Sequence, residues 1–366
     1  MNKKIVFFLY DLSLGGTERV VVRLSNYLVN KDYEVEILTV GTKNFFKKEI
    51  DSRIKTTCFN LLRIFHSFRS LRRFIKQNDF DFFVSNVWPV TILSGIAFLF
   101  SPNLLNKLIL VEHCHLREEW KKNNFIYKFL QNLSIYILHN LSKQIVSVSE
   151  GVHDDLIEKG VKKDKSIVIY NPAFTEPKLS KVDLPEEAIP WSQTHGTKII
   201  AVANFKTQKN YPNLIRSMKI LKKDKKIDCK LLIVGDGPRR SEIEELILEK
   251  NLNNDICLLG YYSDPLNLIN LADIFVLPSD FEGFGLVIVE ALSLGKTVVS
   301  TNCKSGPAEI IGNNEYGYLC KVDDSKDLAG KIEYAINHKI DEEILMKRAR
   351  DFSVEKIGIQ YEKMFN

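Results

Sequence analysis

Glu282 and Glu290, with seven residues between them, bracket a glycine-rich turn, Ser279-Asp280-Phe281-Glu282-Gly283-Phe284-Gly285, which runs straight into an apolar stretch. Residues 274–277, Ile-Phe-Val-Leu, read as a buried parallel strand, and residues 286–294 as a helix packed on the sheet. A strand that turns into a helix start leaves backbone N–H groups free at the positive end of the helix dipole. Small residues let a ligand approach them, so the junction suits a phosphate or a sugar hydroxyl. An ionised carboxylate beside it accepts hydrogen bonds from two hydroxyls. A single glutamate at a helix start is commonly no more than a complement to the dipole. Strand, Pro278, Gly283, Gly285 and both carboxylates in one segment point instead to binding chemistry.

Apolar strand-like runs alternate with helical patterns along the chain, which predicts parallel sheets covered on both faces, an α/β architecture. The series begins twice. Residues 3–10, 34–40, 82–85, 108–112, 144–147 and 166–170 form one set, and residues 198–202, 230–234, 255–259, 274–277 and 297–300 a second. Residues 171–196 carry Pro172, Pro177, Pro185 and Pro190 without a clear period. The expected layout is a Rossmann-like domain over residues 1–172, a linker over 173–196, a second Rossmann-like domain over 197–352 and a last helix within 353–366. The turn after the first strand, Asp11-Leu12-Ser13-Leu14-Gly15-Gly16-Thr17-Glu18, lacks the third spaced glycine of a dinucleotide fingerprint, which argues against a dehydrogenase.

The 279–290 segment resembles the signature of retaining glycosyltransferases of family 4, and the resemblance extends over most of the chain. It implies the GT-B fold, two Rossmann-like domains facing across a cleft, with the acceptor on the first domain and a nucleotide-sugar donor mainly on the second. It assigns Glu282 to the donor sugar hydroxyls, Glu290 to the ribose, and the backbone of Phe284, Gly285 and Leu286 to the donor's sugar and phosphates. Gly15 and Gly16 resemble the family loop directed at the donor diphosphate and the acceptor.

Residues 202–210, Val-Ala-Asn-Phe-Lys-Thr-Gln-Lys-Asn, resemble the family's phosphate-binding segment, and Lys209 matches its lysine. Asn204 stands where arginine is usual, so Lys206 is the candidate second cation. Fixed cations stabilise the negative charge that grows on a departing diphosphate, and the expected reaction needs no metal or other cofactor. Gly235, in Val234-Gly235-Asp236-Gly237-Pro238, resembles the family's Gly-x-Gly-Pro turn. Tyr261, with Tyr262, falls where the family meets the nucleotide base. His113, in Glu112-His113-Cys114-His115, matches the family histidine at the donor sugar, with His115 the alternative. Residues 305–311 resemble bacterial enzymes of polysaccharide and lipid-linked glycan assembly.

The chain has 366 residues, enough for two cores, and a formal net charge of +5. Residues 1–172 hold 25 basic against 17 acidic side chains and the remainder 26 against 29, so the positive excess lies in the first half. Six scattered cysteines show neither metal spacing nor the density of a disulfide scaffold and read as cytosolic thiols. The apolar run at 88–100 is too short to span a membrane. Residues 51–76 hold Arg53, Lys55, Arg63, Arg69, Arg72, Arg73 and Lys76 against one acid, Asp51. Leu61, Ile64, Phe65, Phe68, Leu71 and Ile75 recur there at helical spacing. Such a helix either packs on the core with a solvated basic face or lies on an anionic membrane, with residues 120–130 a second region of that kind.

The leading expectation is a retaining transfer of a hexose or N-acetylhexosamine, with UDP as the donor nucleotide, to a polyprenyl-diphosphate-linked glycan. The enzyme would sit in the cytoplasm as a peripheral protein on the inner face of the plasma membrane and bind no nucleic acid. Two alternatives make different predictions. A GT-B-like nucleotide-sugar epimerase would alter its donor without an acceptor, and a nonenzymatic anionic-lipid-binding protein would be indifferent to Glu282.

Overall fold

The computed structural model describes residues 3–119, 124–179 and 184–366. The chain divides into two compact units, residues 1–172 with 354–366, and residues 173–353. Each is an all-parallel sheet flanked by helices, so both have the Rossmann-like α/β architecture of the GT-B fold.

The first unit holds seven strands: β1 (Lys4–Leu9), β2 (Glu34–Thr39), β3 (Lys55–Cys58), β4 (Phe82–Asn86), β5 (Leu108–Glu112), β6 (Gln144–Ser147) and β7 (Ser166–Val168), in the order β3-β2-β1-β4-β5-β6-β7. The second holds six: β8 (Thr197–Val202), β9 (Cys229–Val234), β10 (Ile256–Gly260), β11 (Ile274–Leu277), β12 (Thr297–Thr301) and β13 (Tyr318–Cys320), in the order β10-β9-β8-β11-β12-β13. Each chain builds outward in one direction, then returns to the other side of its first strand. The direction reverses between β1 and β4 and between β8 and β11. Connections leave the carboxyl ends of two such strands in opposite senses and open a crevice there, the usual ligand position of open α/β sheets.

Central strands are buried on both faces, which is why they read as continuous apolar runs: Ile5, Val6, Phe7 and Phe8 are all at most 1% exposed. Two of the four edge strands, β3 and β13, escape the pattern. Lys-Thr-Thr-Cys of β3 is largely exposed and polar, with Lys55 paired to Glu36 at 3.1 Å, a device suited to an unpaired edge. Strand β13 is only three residues long.

Within residues 51–76, β3 occupies 55–58, and the helical spacing read from Leu61 to Ile75 corresponds to a helical segment through Ile64–Ser67 and Phe68–Gln77. Most of its stripe faces inward: Leu71, Phe74 and Ile75 are buried in the core of the first unit, with Leu61, Ile64 and Phe68 packed against it, whereas Phe65 is exposed. The expected linker is structured where described, with helical turns at Glu186–Ala188 and Ile189–Ser192. Buried Trp191 donates its indole N–H to Ile199 O of β8 at 3.0 Å. Part of that segment, 180–183, and residues 120–123 of the second mixed region lie outside the described residues.

The last helix, Val354–Phe365, belongs to the first unit. Ile357, Gly358, Tyr361 and Phe365 are its buried face, Tyr27 of helix Gly16–Val29 donates to Glu362, and Lys3 Nζ donates to Phe365 O at 2.8 Å. Gly358 is needed at this contact, since a Cβ there would stand 2.3 Å from the Tyr27 ring. Among the described residues no helix is long and apolar enough to cross a membrane.

Candidate functional site

In the second unit the reversal point brings together the loops after β8 and β11. The chain leaves β8 into a short turn, Thr207–Lys209, and starts helix Tyr211–Lys219 at Asn210, held in the left-handed region at φ 41°. It leaves β11 through the 279–285 turn. The turns are stitched by backbone and side-chain bonds: Asp280 N donates to Gln208 O at 2.8 Å and Gln208 Nε2 to Phe281 O at 2.8 Å. Asn210 accepts from Asn213 N as helix cap, and its Nδ2 donates to Asp280 Oδ1 at 2.6 Å and Asp323 Oδ1 at 3.1 Å.

On this frame Lys209 Nζ donates to Glu282 Oε1 at 2.6 Å, and Ser279 Oγ donates to the same oxygen at 2.6 Å. Glu282 is only 5% exposed, and in that poorly solvated place its carboxylate meets a cation and a hydroxyl. Its field is felt by its neighbours. Burial, with the Glu282 charge adding to it, pushes the Cys303 thiol up to about 12 and moves the Tyr211 phenol upward as well.

The glycine turn is held from beneath. Gly285 takes φ 99° as it starts helix Leu286–Ser293, and Gly306 takes φ 83° with its Cα against Phe284, where a Cβ would fall 2.0 Å from Phe284 O. Thr301 donates to Ser279 O from β12. Glu290 is half-buried in the second turn of the helix. The arrangement can grip polyhydroxylated, anionic molecules: a buried carboxylate for hydroxyls, a lysine for phosphate, and a helix start beside both.

The other residues named from sequence are dispersed. Asn204 and Lys206 are exposed, and neither bonds to Glu282 among the described contacts. Gly235 closes the turn after β9 at φ 142°, with a Cβ position 2.1 Å from Ala203 O, so its role is to let two loops touch. Tyr261 is 56% exposed and follows β10, the sheet's edge strand. Sequence reasoning did not single out Asn210, Asp280 or Asp323 as a framework. Asn210 with Pro212 carries a helix-start signal, whereas Asp323 is 113 positions away and carries none.

In the first unit the β1/β4 reversal point carries a cavity of about 540 Å³. Gly15 and Gly16 lie at the start of helix Gly16–Val29 next to it, with Thr17 and Glu18 on its wall. Asn86, at the end of β4, also lines it and accepts from His113 Nε2 at 3.3 Å. That bond places the ring proton on Nε2 and leaves Nδ1 as an acceptor. Burial pushes the His113 pKa down to about 3, which favours the neutral ring. His115 instead faces inward, its Nδ1 3.7 Å from Asp155 Oδ1. Glu112, beside His113, is fully buried and accepts from Thr91 at 2.7 Å and pairs with His139 at 2.9 Å.

Arg63 is exposed on the cavity rim. Arg69, Arg73 and Lys76 are exposed on helix Phe68–Gln77, while Arg72 lies 4.1 Å over the Phe100 ring. The basic face is therefore real, although the apolar stripe beside it is core apart from Phe65.

Comparison with known proteins agrees with this layout. Residues 187–352 match the family model "Glycosyl transferases group 1" and residues 14–176 the model "Glycosyltransferase Family 4". An uncharacterized glycosyltransferase of Haemophilus influenzae is 26% identical over 369 residues, covering 97% of this chain and 98% of that one. An N-acetylgalactosamine-N,N'-diacetylbacillosaminyl-diphospho-undecaprenol 4-alpha-N-acetylgalactosaminyltransferase of Campylobacter jejuni is 28% identical over 344 residues, covering 89% of this chain and 88% of the relative. The Anabaena protein HepE, solved in complex with UDP and glucose, superposes with a TM-score of 0.77 at 19% identity and covers 99% of both chains, which establishes the shared fold. With each unit matched by its own glycosyltransferase family model, and relatives aligned over nearly the whole length, the chain belongs to the GT-B glycosyltransferases of the bacterial glycan assembly type.

Proposed function

We propose that this glycosyltransferase moves a hexose or N-acetylhexosamine from a UDP-sugar to a polyprenyl-diphosphate-linked glycan, with retention at the anomeric carbon and without a metal. The observation that carries the reading is the buried Glu282 carboxylate held at 2.6 Å by Lys209 at the reversal point of the second sheet. In the proposed complex Lys209 turns to the donor diphosphate, Glu282 accepts hydroxyls of the transferred sugar, Glu290 accepts from the ribose, and the 284–286 backbone meets sugar and phosphates. The C1–O bond to the β-phosphate breaks and its electron pair leaves with UDP. The acceptor hydroxyl bonds to C1 on the same face, and its proton passes to the departing phosphate oxygen. Lys209 and Lys206 balance the charge that develops on that group. On the first unit, His113 offers its Nδ1 as an acceptor for a ligand hydroxyl.

UDP as donor nucleotide is supported by the shared fold of a protein solved with UDP, and the lipid-linked acceptor by the name of the Campylobacter relative. An anionic membrane surface is supported by helix Phe125–Leu141. It carries no acidic side chain and exposes Phe125, Ile126, Phe129, Leu130, Leu133 and Tyr136, each more than 40% accessible. Exposed Lys162 and Lys163 border its C-terminal end, where Lys162 N donates to Asn140 Oδ1 at 2.8 Å. Work at the inner face of the plasma membrane is part of this proposal, supported by that pairing of apolar face and lysines.

The test is transfer from UDP-hexoses and UDP-N-acetylhexosamines to a short-chain polyprenyl-diphosphate glycan in chelator-containing buffer, with the product anomer read by proton NMR. An α-linked product from an α-linked donor is expected. A β-linked product overturns retention, dependence on added divalent cation overturns the metal-free reaction, and conversion of the donor without acceptor identifies an epimerase.

A further inference from the structure

The first unit's reversal point holds a cavity whose lining is mostly apolar, with Tyr10, Thr17, Glu18, Asn86 and Arg63 its polar groups. Leu9, Leu62, Ile64, Phe65, Trp88 and Val90 supply most of its wall, within about 540 Å³, which is the size range of pockets that enclose small organic ligands. A hexose set against its Leu62, Phe65 and Trp88 side would leave hydroxyls facing hydrocarbon, and each hydroxyl desolvated without a partner opposes binding. The rim is apolar too. Leu62 is 93% exposed and Phe65 61%, yet the segment is fixed in place, because Tyr10 donates its hydroxyl proton to Leu62 O at 2.7 Å. Between those two side chains stands Arg63, exposed and without an ion-pair partner among the described residues. Arg69 and Arg73 follow on the next helix, in a half of the chain with 25 basic against 17 acidic side chains.

Tyr10, Thr17, Glu18 and Asn86 on the wall, with hydrocarbon at the rim and, among the described residues, one guanidinium without an ion-pair partner at the mouth, describe the complement of an amphiphile whose anionic group lies at the rim. We propose that this cavity receives the lipid-proximal end of the acceptor, the first isoprenyl carbons lying against Leu62, Phe65 and Trp88 and the diphosphate engaged by Arg63. Guanidinium groups bind phosphate oxygens bidentately and give up hydration easily, which suits a phosphate at the edge of an apolar cavity. The proposal rests on the lipid-linked acceptor named above and assigns where the lipid part is read.

Trp88 makes binding observable. Titration of the full chain with farnesyl diphosphate, farnesol, inorganic pyrophosphate and the methyl glycoside of N-acetylglucosamine is followed by tryptophan fluorescence, with Trp88→Phe as the control for the signal. Farnesyl diphosphate is expected to bind at least tenfold more tightly than farnesol or pyrophosphate. Arg63→Gln is expected to weaken farnesyl diphosphate about tenfold and leave farnesol unchanged, and Phe65→Ser to weaken both prenyl compounds. A Phe129→Glu/Leu133→Glu variant, altered on the exposed helix, should bind farnesyl diphosphate as the parent does. Affinity that ignores Arg63 and Phe65, or a glycoside that binds while farnesyl diphosphate does not, overturns the assignment. The thermal shift produced by UDP in the same samples reports the second unit. A normal UDP shift with no prenyl binding therefore defeats this inference alone, whereas loss of the UDP response defeats the donor reading.

Discussion

Lys209 Nζ and Glu282 Oε1 lie 2.6 Å apart although 73 positions separate them in sequence. Adjacency of β8 and β11 makes the contact, and without ligand each side chain answers the other's charge. Replacing Glu282 by Gln keeps the volume and the hydrogen bond from Ser279 but removes the charge. Transfer is expected to fall by about two to three orders of magnitude, the range seen when one group stabilising developing charge is lost. The far-UV spectrum should be unchanged, and steady-state kinetics beside circular dichroism checks both halves of the statement.

Removal of the cation acts on binding instead. Lys209→Ala should weaken UDP by about tenfold or more, since a hydrogen bond to a charged partner contributes about 1.5–3 kcal/mol. Glu282 keeps its bond from Ser279, so the variant is expected to fold. Titration calorimetry with UDP checks it; equal affinity in parent and variant would leave Lys209 with a purely structural pairing.

Gly306 and Gly330 make a matched pair. At φ 83°, with Phe284 O 2.0 Å from the would-be Cβ, Gly306→Ala strains the backbone and displaces the 284–286 turn. A loss of about 1–3 kcal/mol and of activity is expected. Gly330 sits within helix Ser325–Asn337 with nothing inside 4 Å of its Cβ position, and Gly330→Ala should stabilise by roughly 0.5–1 kcal/mol. Urea denaturation of both variants gives the comparison.

His113 sets a pH dependence of stability. Its folded pKa is pushed down to about 3, against an ordinary value of 6.5, so between those values the unfolded chain binds a proton that the folded chain does not. Stability from this group is present above pH 6.5 and is lost as the pH falls, by up to about 1.4 kcal/mol per pH unit. His113→Asn should flatten the acid limb of denaturation midpoint against pH by one proton. The rate profile of the parent should show no inflection from this ring between pH 5 and 8.

The exposed helix predicts surface binding. Phe129→Glu/Leu133→Glu should release the protein from vesicles of phosphatidylglycerol and phosphatidylcholine in sedimentation, without altering UDP affinity. Replacing Arg69 and Arg73 by Gln should give a smaller, salt-dependent loss. Vesicle binding unchanged in the double glutamate variant would move the contact to another face.

The fold was readable wherever strands are buried on both faces, because there the apolar run and the strand coincide. It was unreadable at β3, where exposure frees the sequence to be Lys-Thr-Thr-Cys, and at three-residue β13. The same limit explains the 51–76 segment. An apolar stripe beside arginines has one period whether it faces a core or a lipid, and only burial of Leu71, Phe74 and Ile75 separates the two. Helix Phe125–Leu141 shows the converse. Around the candidate site, the 279–290 turn announced itself through its glycines and carboxylates, and Lys209 through its motif. The Asn210–Asp280–Asp323 framework is made of residues with no shared local pattern, brought together by strand order alone.

The placement of helix Val354–Phe365 within the first unit also orders events on the ribosome. The first sheet can be synthesised through residue 172, yet Tyr27 and Lys3 wait for partners that lie beyond residues 173–353. At translation rates of roughly 5–20 residues per second the interval is about 10–40 s. During it the surface meant for Tyr361 and Phe365 stands open in a half-built protein, while the intervening unit has its full sequence and is free to fold first.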